Sequence, residues 1–147
     1  IIGPLVFSTV TADVAMLLMS NPQALATLSA RKSPMFSNFQ TRRFDGDKEL
    51  VYVSSPQFSH RLMKGYGPLQ LLTVKSINGV EVRNLVHLIE LIQSSRDEFL
   101  EFEFYDDGVG LVILNRKEFL DSTESILEEN SVRVRCSPGL EKYFEGE

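Results

Sequence analysis

Two histidines, His60 and His87, are the side chains best suited to moving a proton near neutral pH. General acid–base or nucleophilic chemistry needs a partner for each: a serine or a carboxylate at a defined spacing. Neither histidine has one at a recognisable motif distance. There is no Gly-x-Ser-x-Gly elbow and no Gly-Asp-Ser-Gly-Gly-like loop. A serine with no base to take its proton is only a hydroxyl. His60 reads as a loop residue and His87 as a partly exposed residue of a helix. Glu101 and Glu103 point outward from a strand, and paired acid–base work needs a concave site.

Metal and phosphate chemistry are no better supported. Asp45, Asp47 and Glu49 alternate around Gly46, but a calcium loop needs five or more oxygen ligands at set positions. They read as a turn with acidic decoration, and so does Asp106-Asp107-Gly108. Gly65-Tyr66-Gly67 and Gly108-Val109-Gly110 are glycine turns rather than phosphate cradles, and no P-loop or dinucleotide fingerprint occurs. The single Cys136 leaves no pair for a disulfide among these residues and reads as a bystander thiol in a tail. No cofactor is implied.

Composition narrows the class. The 147 residues suit one domain with an appendage, and 43% hydrophobic with 24% charged residues suits one real core. Net charge is −5, and the basic residues cluster only as the pairs Arg31-Lys32 and Arg42-Arg43, so no nucleic-acid partner is expected. No apolar run approaches the roughly 20 residues of a membrane span; Val14 to Met19 is the longest candidate. A first residue of Ile rather than Met suggests a processed chain or a piece of something longer.

The elements follow from local signals. "IIGPLVFSTVT" reads as a glycine loop and a strand, Leu5 to Val10. Thr11 or Asp13 caps a helix through "ADVAMLLMSN", which Pro22 stops; "QALATLSARK" is a second helical segment. "SPMFSNFQTRRFDGD" reads as irregular, with a turn at Asp45-Gly46. "ELVYVSS" is a strand, "PQFSHRLMKGYGP" a short helix or turn with a glycine loop, and "LQLLTVKSI" a strand. Asn78-Gly79 is a hairpin turn, "VEV" returns, and Asn84 caps the helix "LVHLIELIQSS". In "EFLEFEFYDDGVGLVILN", Leu100, Phe102 and Phe104 alternate with Glu101 and Glu103, and Val109, Leu111 and Ile113 continue on the return strand. "KEFLDSTESILEEN" is a helix with Phe119, Thr123, Ile126 and Leu127 on one side. The fold class is α+β: a small, partly open β-barrel or sandwich capped by helices, with a helical insert after the first strand. Residues 1–115 form the domain, 11–46 its insert, 116–131 a C-terminal helix packed on it, and 132–147 a polar tail.

The helix from Asn84 is greasier than one buried face requires. Leu85, Ile89 and Ile92 form one row, and Leu88 and Leu91 a neighbouring row. One row can face the core while the other lines a cleft against a strand edge, where an added peptide strand finds main-chain hydrogen bonds and an apolar pocket. The alternative is that both rows are core, and the pattern alone leans modestly that way.

"VKSINGVEVRNLVHLIELI" resembles the strand–Ile-Asn-Gly-x-x-Val–helix signature of PDZ domains of the HtrA/Deg protease type, in which a hydrophobic-Gly-hydrophobic loop precedes the peptide-binding strand. "IIGPLVFSTVT" occupies that place. With "KELVYVSS", "DEFLEFEFYDDGVGLVILN" and "TESILEEN", about residues 1–130 resemble the second, C-terminal PDZ domain of plant-type Deg proteases; the tail after Asn130 does not follow the pattern. The resemblance implies a non-catalytic peptide-binding module of an ATP-independent serine endopeptidase whose triad lies in a separate domain. It implies partners that are peptide segments or other subunits of a homo-oligomer, and a chloroplast, mitochondrial or nuclear setting.

The implied groove is Ile2, Gly3, Pro4, Leu5, Val6 and Phe7 against Leu85, Ile89 and Ile92. A carboxylate loop works through converging backbone N–H groups, and Pro4 has none. Free C-terminal carboxylates are therefore expected to bind poorly, and an internal segment to fill the groove, from a neighbouring subunit or from this chain's own insert or tail. Ile89→Glu is expected to weaken docking while leaving the fold largely intact. A stand-alone scaffold unrelated to proteolysis and an independent enzyme are the competing readings.

Overall fold

The computed structural model describes residues 1–41 and 48–144. Arg42-Arg43, the Asp45-Gly46 turn and Asp47 lie outside the described residues.

The chain is an α+β fold of open antiparallel sheets rather than a closed barrel. Strands β1 (Phe7–Thr9) and β2 (Val51–Val53) pair as one ribbon. Strands β3 (Val74–Ile77), β4 (Val80–Glu81), β5 (Phe99–Phe104) and β6 (Val112–Asn115) form a second sheet in the order β4-β3-β5-β6. Val53 N–H donating to Leu72 O at 3.0 Å and the Tyr52–Thr73 bridge tie the two together. Asn78 and Gly79, both at positive φ (49° and 77°), make the tight β3–β4 turn that a left-handed pair of residues allows.

The insert between β1 and β2 is three helices: α1 (Ala12–Ser20), α2 (Pro22–Ala30) and α3 (Pro34–Thr41). Thr11 caps α1 through Val14 N–H. Pro22 does more than stop α1: it opens α2, where a missing N–H costs nothing, and Asn21 Oδ1 caps the two following amides. The segment from Pro34, expected to be irregular, is helical. Ser33 Oγ accepts from Met35 N–H, and buried Met35 packs with Val10, Leu28, Leu50 and Tyr52 in a core of the insert's own. Tertiary burial decides what the local Ser-Pro signal left open.

Two more expectations are corrected. "LQLLTVKSI" is not one strand, because Leu71 sits at φ 67° in a turn whose amide donates to Val53 O at 2.8 Å. On the return strand, Val112 and Leu114 are buried, while Leu111 and Ile113 are exposed. The loop before it is long enough to shift the alternation by one residue.

Helix α4 (Leu85–Ser94) starts at Asn84, whose Oδ1 accepts from His87 N–H at 2.9 Å. Helix α5 (Arg116–Glu129) starts at Asn115 in the same manner. Phe119 of α5 packs on Phe102 of β5 (5.8 Å between ring centres), which stacks on Phe7 of β1 at 6.0 Å. Each such ring is worth about 1.5–3 kcal/mol of burial, so α5 is a wall of the main core. No helix among the described residues is long and apolar enough to cross a membrane.

Candidate peptide-binding groove

Strand β1 has one open edge. Ser54 N–H donates to Val6 O at 2.8 Å and Val10 N–H to Leu50 O at 2.9 Å, so even-numbered residues face β2. By the alternation of an antiparallel ladder, the backbone groups of Phe7 and Thr9 point to the opposite side. Helix α4 lies along that side. Between them opens a cavity of about 520 Å³, lined by Ile2, Val6, Phe7, Ser8, Leu85 and Ile89 among others.

Of the residues expected at the groove, Ile2, Val6, Phe7, Leu85 and Ile89 therefore meet at one cavity. Gly3, Pro4, Leu5 and Ile92 lie outside its lining. Leu5 and Ile92 are fully buried in the main core, and so is Ile89 in part of its surface: at 2% exposure it packs in the core as well as touching the cavity. A glutamate there would place a charge among apolar side chains, so Ile89→Glu is a folding mutation rather than a clean probe of docking.

From Ile2 to Leu5 every amide of the loop before β1 is engaged or absent. Ile2 N–H donates to Leu5 O at 3.0 Å and Leu5 N–H returns to Ile2 O at 3.2 Å. Pro4 has no N–H. Gly3 N–H donates to Thr123 Oγ1 of α5 at 2.8 Å. Gly3 is at φ 53°, and a Cβ there would sit 2.7 Å from Phe119 Cδ2 and from the Phe119 carbonyl oxygen. The glycine is needed for the close approach of α5.

The tail contributes to the same cavity. Val134, Arg135, Cys136, Ser137, Leu140 and Phe144 also line the cavity. The Ile1 nitrogen donates to Arg135 O at 2.8 Å, Arg135 Nε donates to Ile1 O at 3.3 Å, and the guanidinium lies 4.1 Å from the Phe144 ring centre. Leu140, Tyr143 and Phe144 pack on the main core. Sequence reading passed over these residues because Pro138-Gly139 interrupts them and no period links them. Cys136, read as a bystander, is half-buried in this lining.

The histidines serve local turns. His60 Nδ1 accepts from Leu62 N–H at 3.3 Å and His87 Nδ1 from Arg83 N–H at 3.2 Å. His60 shares a polar hollow with Ser122, Arg61 and Glu118. The Ser122 hydroxyl donates to Phe119 O at 2.9 Å, and Arg61 is ion-paired with Glu118.

Comparison with known proteins fits this geometry. The chain is 35% identical over 96 residues to "Putative protease Do-like 11, mitochondrial" of Arabidopsis thaliana, covering 65% of this chain and 17% of that protein. It is 27% identical over 110 residues to "Protease Do-like 2, chloroplastic" of the same plant, covering 74% and 18%. "Putative protease Do-like 12, mitochondrial" matches at 36% over 70 residues, covering 48% and 14%. The chain thus spans less than a fifth of the length of these relatives. A family model described as "PDZ domain" matches residues 1–139, from the loop before β1 through α5 and into the tail. An open strand edge facing a helix, in a chain matched over nearly its whole length, belongs to the PDZ domain family.

Proposed function

We propose that this PDZ domain is the second, C-terminal PDZ domain of a plant-type Deg/HtrA serine endopeptidase, and that it is non-catalytic. Its task is to bind polypeptide and help assemble or regulate the parent protease. The segment it takes is internal, added as a strand to the outer edge of β1 with side chains directed at Leu85 and Ile89.

One observation carries this reading. Every backbone donor from Ile2 to Leu5 is already engaged or absent, while the β1 edge beside the cavity carries no strand among the described residues. Main-chain pairing remains available to a guest, whereas positions 2–5 offer no amide to a carboxylate. The tail lines part of the cavity and packs on the core, which favours a guest from another subunit over the chain's own tail.

Calorimetric titration tests it. A peptide and its C-terminally amidated twin are expected to bind equally; a marked loss on amidation would refute the internal-segment reading. Incubating the chain with casein is expected to yield no cleavage. Sizing the parent protease with and without this domain separates an assembly role from a scaffold role unrelated to proteolysis: an unchanged size would support the latter.

A further inference from the structure

Helix α1 is apolar on more than one side. Ala15 is buried, and Val14 and Leu18 pack on the insert's core with Leu28 and Met35, so that side is occupied. Met16 (64% exposed), Leu17 (70%) and Met19 (48%) stand in solvent. A helix that is apolar all round belongs inside something. The exposed side chains make a patch on the order of a few hundred Å², the size that marks an interaction site. The surface is also nearly free of charge. From Thr11 to Ala30 the only charged residue is Asp13, in a chain that is 24% charged with net charge −5. Two copies of the chain repel over much of their surface, and here they can meet without opposing charges. A basic partner would find no carboxylate beyond Asp13 to pair with. Shape agrees. Beside Leu17, where α1 turns into α2, lies an open hollow lined by Leu17, Leu18, Ser20, Asn21 and Pro22. A twofold pair needs knob and hole on one surface, since each copy must offer both, and methionine is an adaptable knob.

We infer that the exposed face of α1 docks a second copy of this chain, α1 against α1, antiparallel about a twofold axis near Leu17. Each Met16 then seats in the other copy's hollow. The antiparallel sense also holds the two Asp13 carboxylates about 12 Å apart along the axis, at 1.5 Å of rise per residue. Two such patches bury well under the roughly 1,600 Å² of a standard interface, so the pair is weak alone and strengthens wherever several copies are held together. The inference goes beyond the groove reading and does not depend on it: β1 and α4 take a guest segment, and α1 takes another domain.

The test is sedimentation velocity of the 147-residue, 16.6 kDa chain over roughly 10 μM to 1 mM, the range of a small interface. A reversible shift that stops at the dimer is expected. It should strengthen with added salt, as the like net charges are screened. Leu17→Glu and Leu17→Lys should each stay monomeric, with melting temperatures near wild type because the side chain stands in water. Mixed in equal amounts, the two variants should pair, since position 17 faces its mate across the axis. That rescue separates a defined twofold contact from general stickiness. Four results overturn the inference: a wild-type chain that stays monomeric at about 1 mM, growth past the dimer, dimerisation of Leu17→Glu as strong as wild type, or a mixture that does not pair. Peptide binding at β1, measured on the same variants, is expected to be unchanged, so loss of pairing with binding intact leaves the groove reading standing.

Discussion

Gly3 and Thr123 are joined by a buried hydrogen bond, N–H to Oγ1 at 2.8 Å, across 120 positions of sequence. It couples the loop that opens the groove to the middle of α5. The same bond engages the Gly3 amide, so under the proposed groove reading that amide is not offered to an incoming carboxylate.

Removing that hydroxyl should therefore unsettle the fold through the loop. Thr123→Val keeps the shape and strands a buried amide, at a cost of about 1–3 kcal/mol. Thr123→Ser keeps the hydroxyl and should cost less. Urea denaturation of the two variants checks this, and equal losses would show that the bond contributes nothing.

Gly3→Ala meets two obstacles at once. The backbone is left-handed at φ 53°, and the new methyl lands 2.7 Å from a backbone oxygen of α5. The expected loss is about 2 kcal/mol or more. A melting temperature unchanged from wild type would mean that α5 moves aside freely and is not a fixed wall of the core.

What was legible in the sequence is what local chemistry decides. Asn78-Gly79 turns where two residues must take positive φ, Asn84 caps α4, and Leu100, Phe102 and Phe104 point inward as their alternation requires. What was hidden depends on distant partners. Leu71 bends because its amide meets Val53, and α3 forms because Met35 has a core to enter. The groove was half legible. The family resemblance, rather than the periodicity, set Ile2, Val6, Phe7, Leu85 and Ile89 at one groove and carried Ile92 with them, since a row on a helix does not say where the core ends. Gly3 was assigned to the groove but lies outside the cavity lining, and the need for a glycine there comes from Phe119, far along the chain.

Asp106, read from the sequence as part of an acidic hairpin turn, is 3% exposed. One carboxylate oxygen accepts from Thr73 N–H at 2.7 Å; the other has no hydrogen-bond partner. Burial pushes its pKa up, opposed by Thr73 N–H, the Ser33 hydroxyl and the Arg31 charge; Lys32 beside it is paired with Asp107. A carboxyl whose pKa is raised on folding binds its proton more tightly in the folded state. Its charged form thus costs stability above the raised pKa, and that cost is relieved as pH falls through it toward the ordinary value. Asp106→Asn should therefore match or exceed wild-type stability at pH 7, with the advantage shrinking on acidification. Denaturation midpoints of both proteins across pH 4–7 decide it; an advantage that grows toward acid would reverse the assignment.

Tyr66 closes the outer edge of β6. Its hydroxyl accepts from Ile113 N–H at 3.0 Å and donates to Ile113 O at 2.9 Å, occupying both backbone groups that a foreign strand would use. Exposed Leu111 and Ile113 beside it would otherwise invite pairing. Tyr66→Phe should cost about 1 kcal/mol and promote self-association, visible as concentration-dependent sedimentation. A variant that sediments as wild type at every concentration would show that the edge is protected by something else.

Leu85 and Ile89 separate docking from folding. Both line the cavity, but Leu85 is half-buried at the start of α4, whereas Ile89 is buried among the core residues. A polar side chain at Leu85 can turn to water; at Ile89 it cannot. Leu85→Asp should leave the melting transition within a few degrees of wild type while weakening peptide binding about tenfold or more, from lost apolar contact on the groove. Ile89→Glu should lower the transition sharply or prevent folding, the usual consequence of an unpaired charge in a core. Measuring thermal unfolding and peptide affinity on both variants gives the answer. If Leu85→Asp binds peptide as tightly as wild type, α4 is not the groove wall and the guest lies elsewhere. If Ile89→Glu folds normally, the division between core and cavity runs one turn further along the helix than its burial indicates.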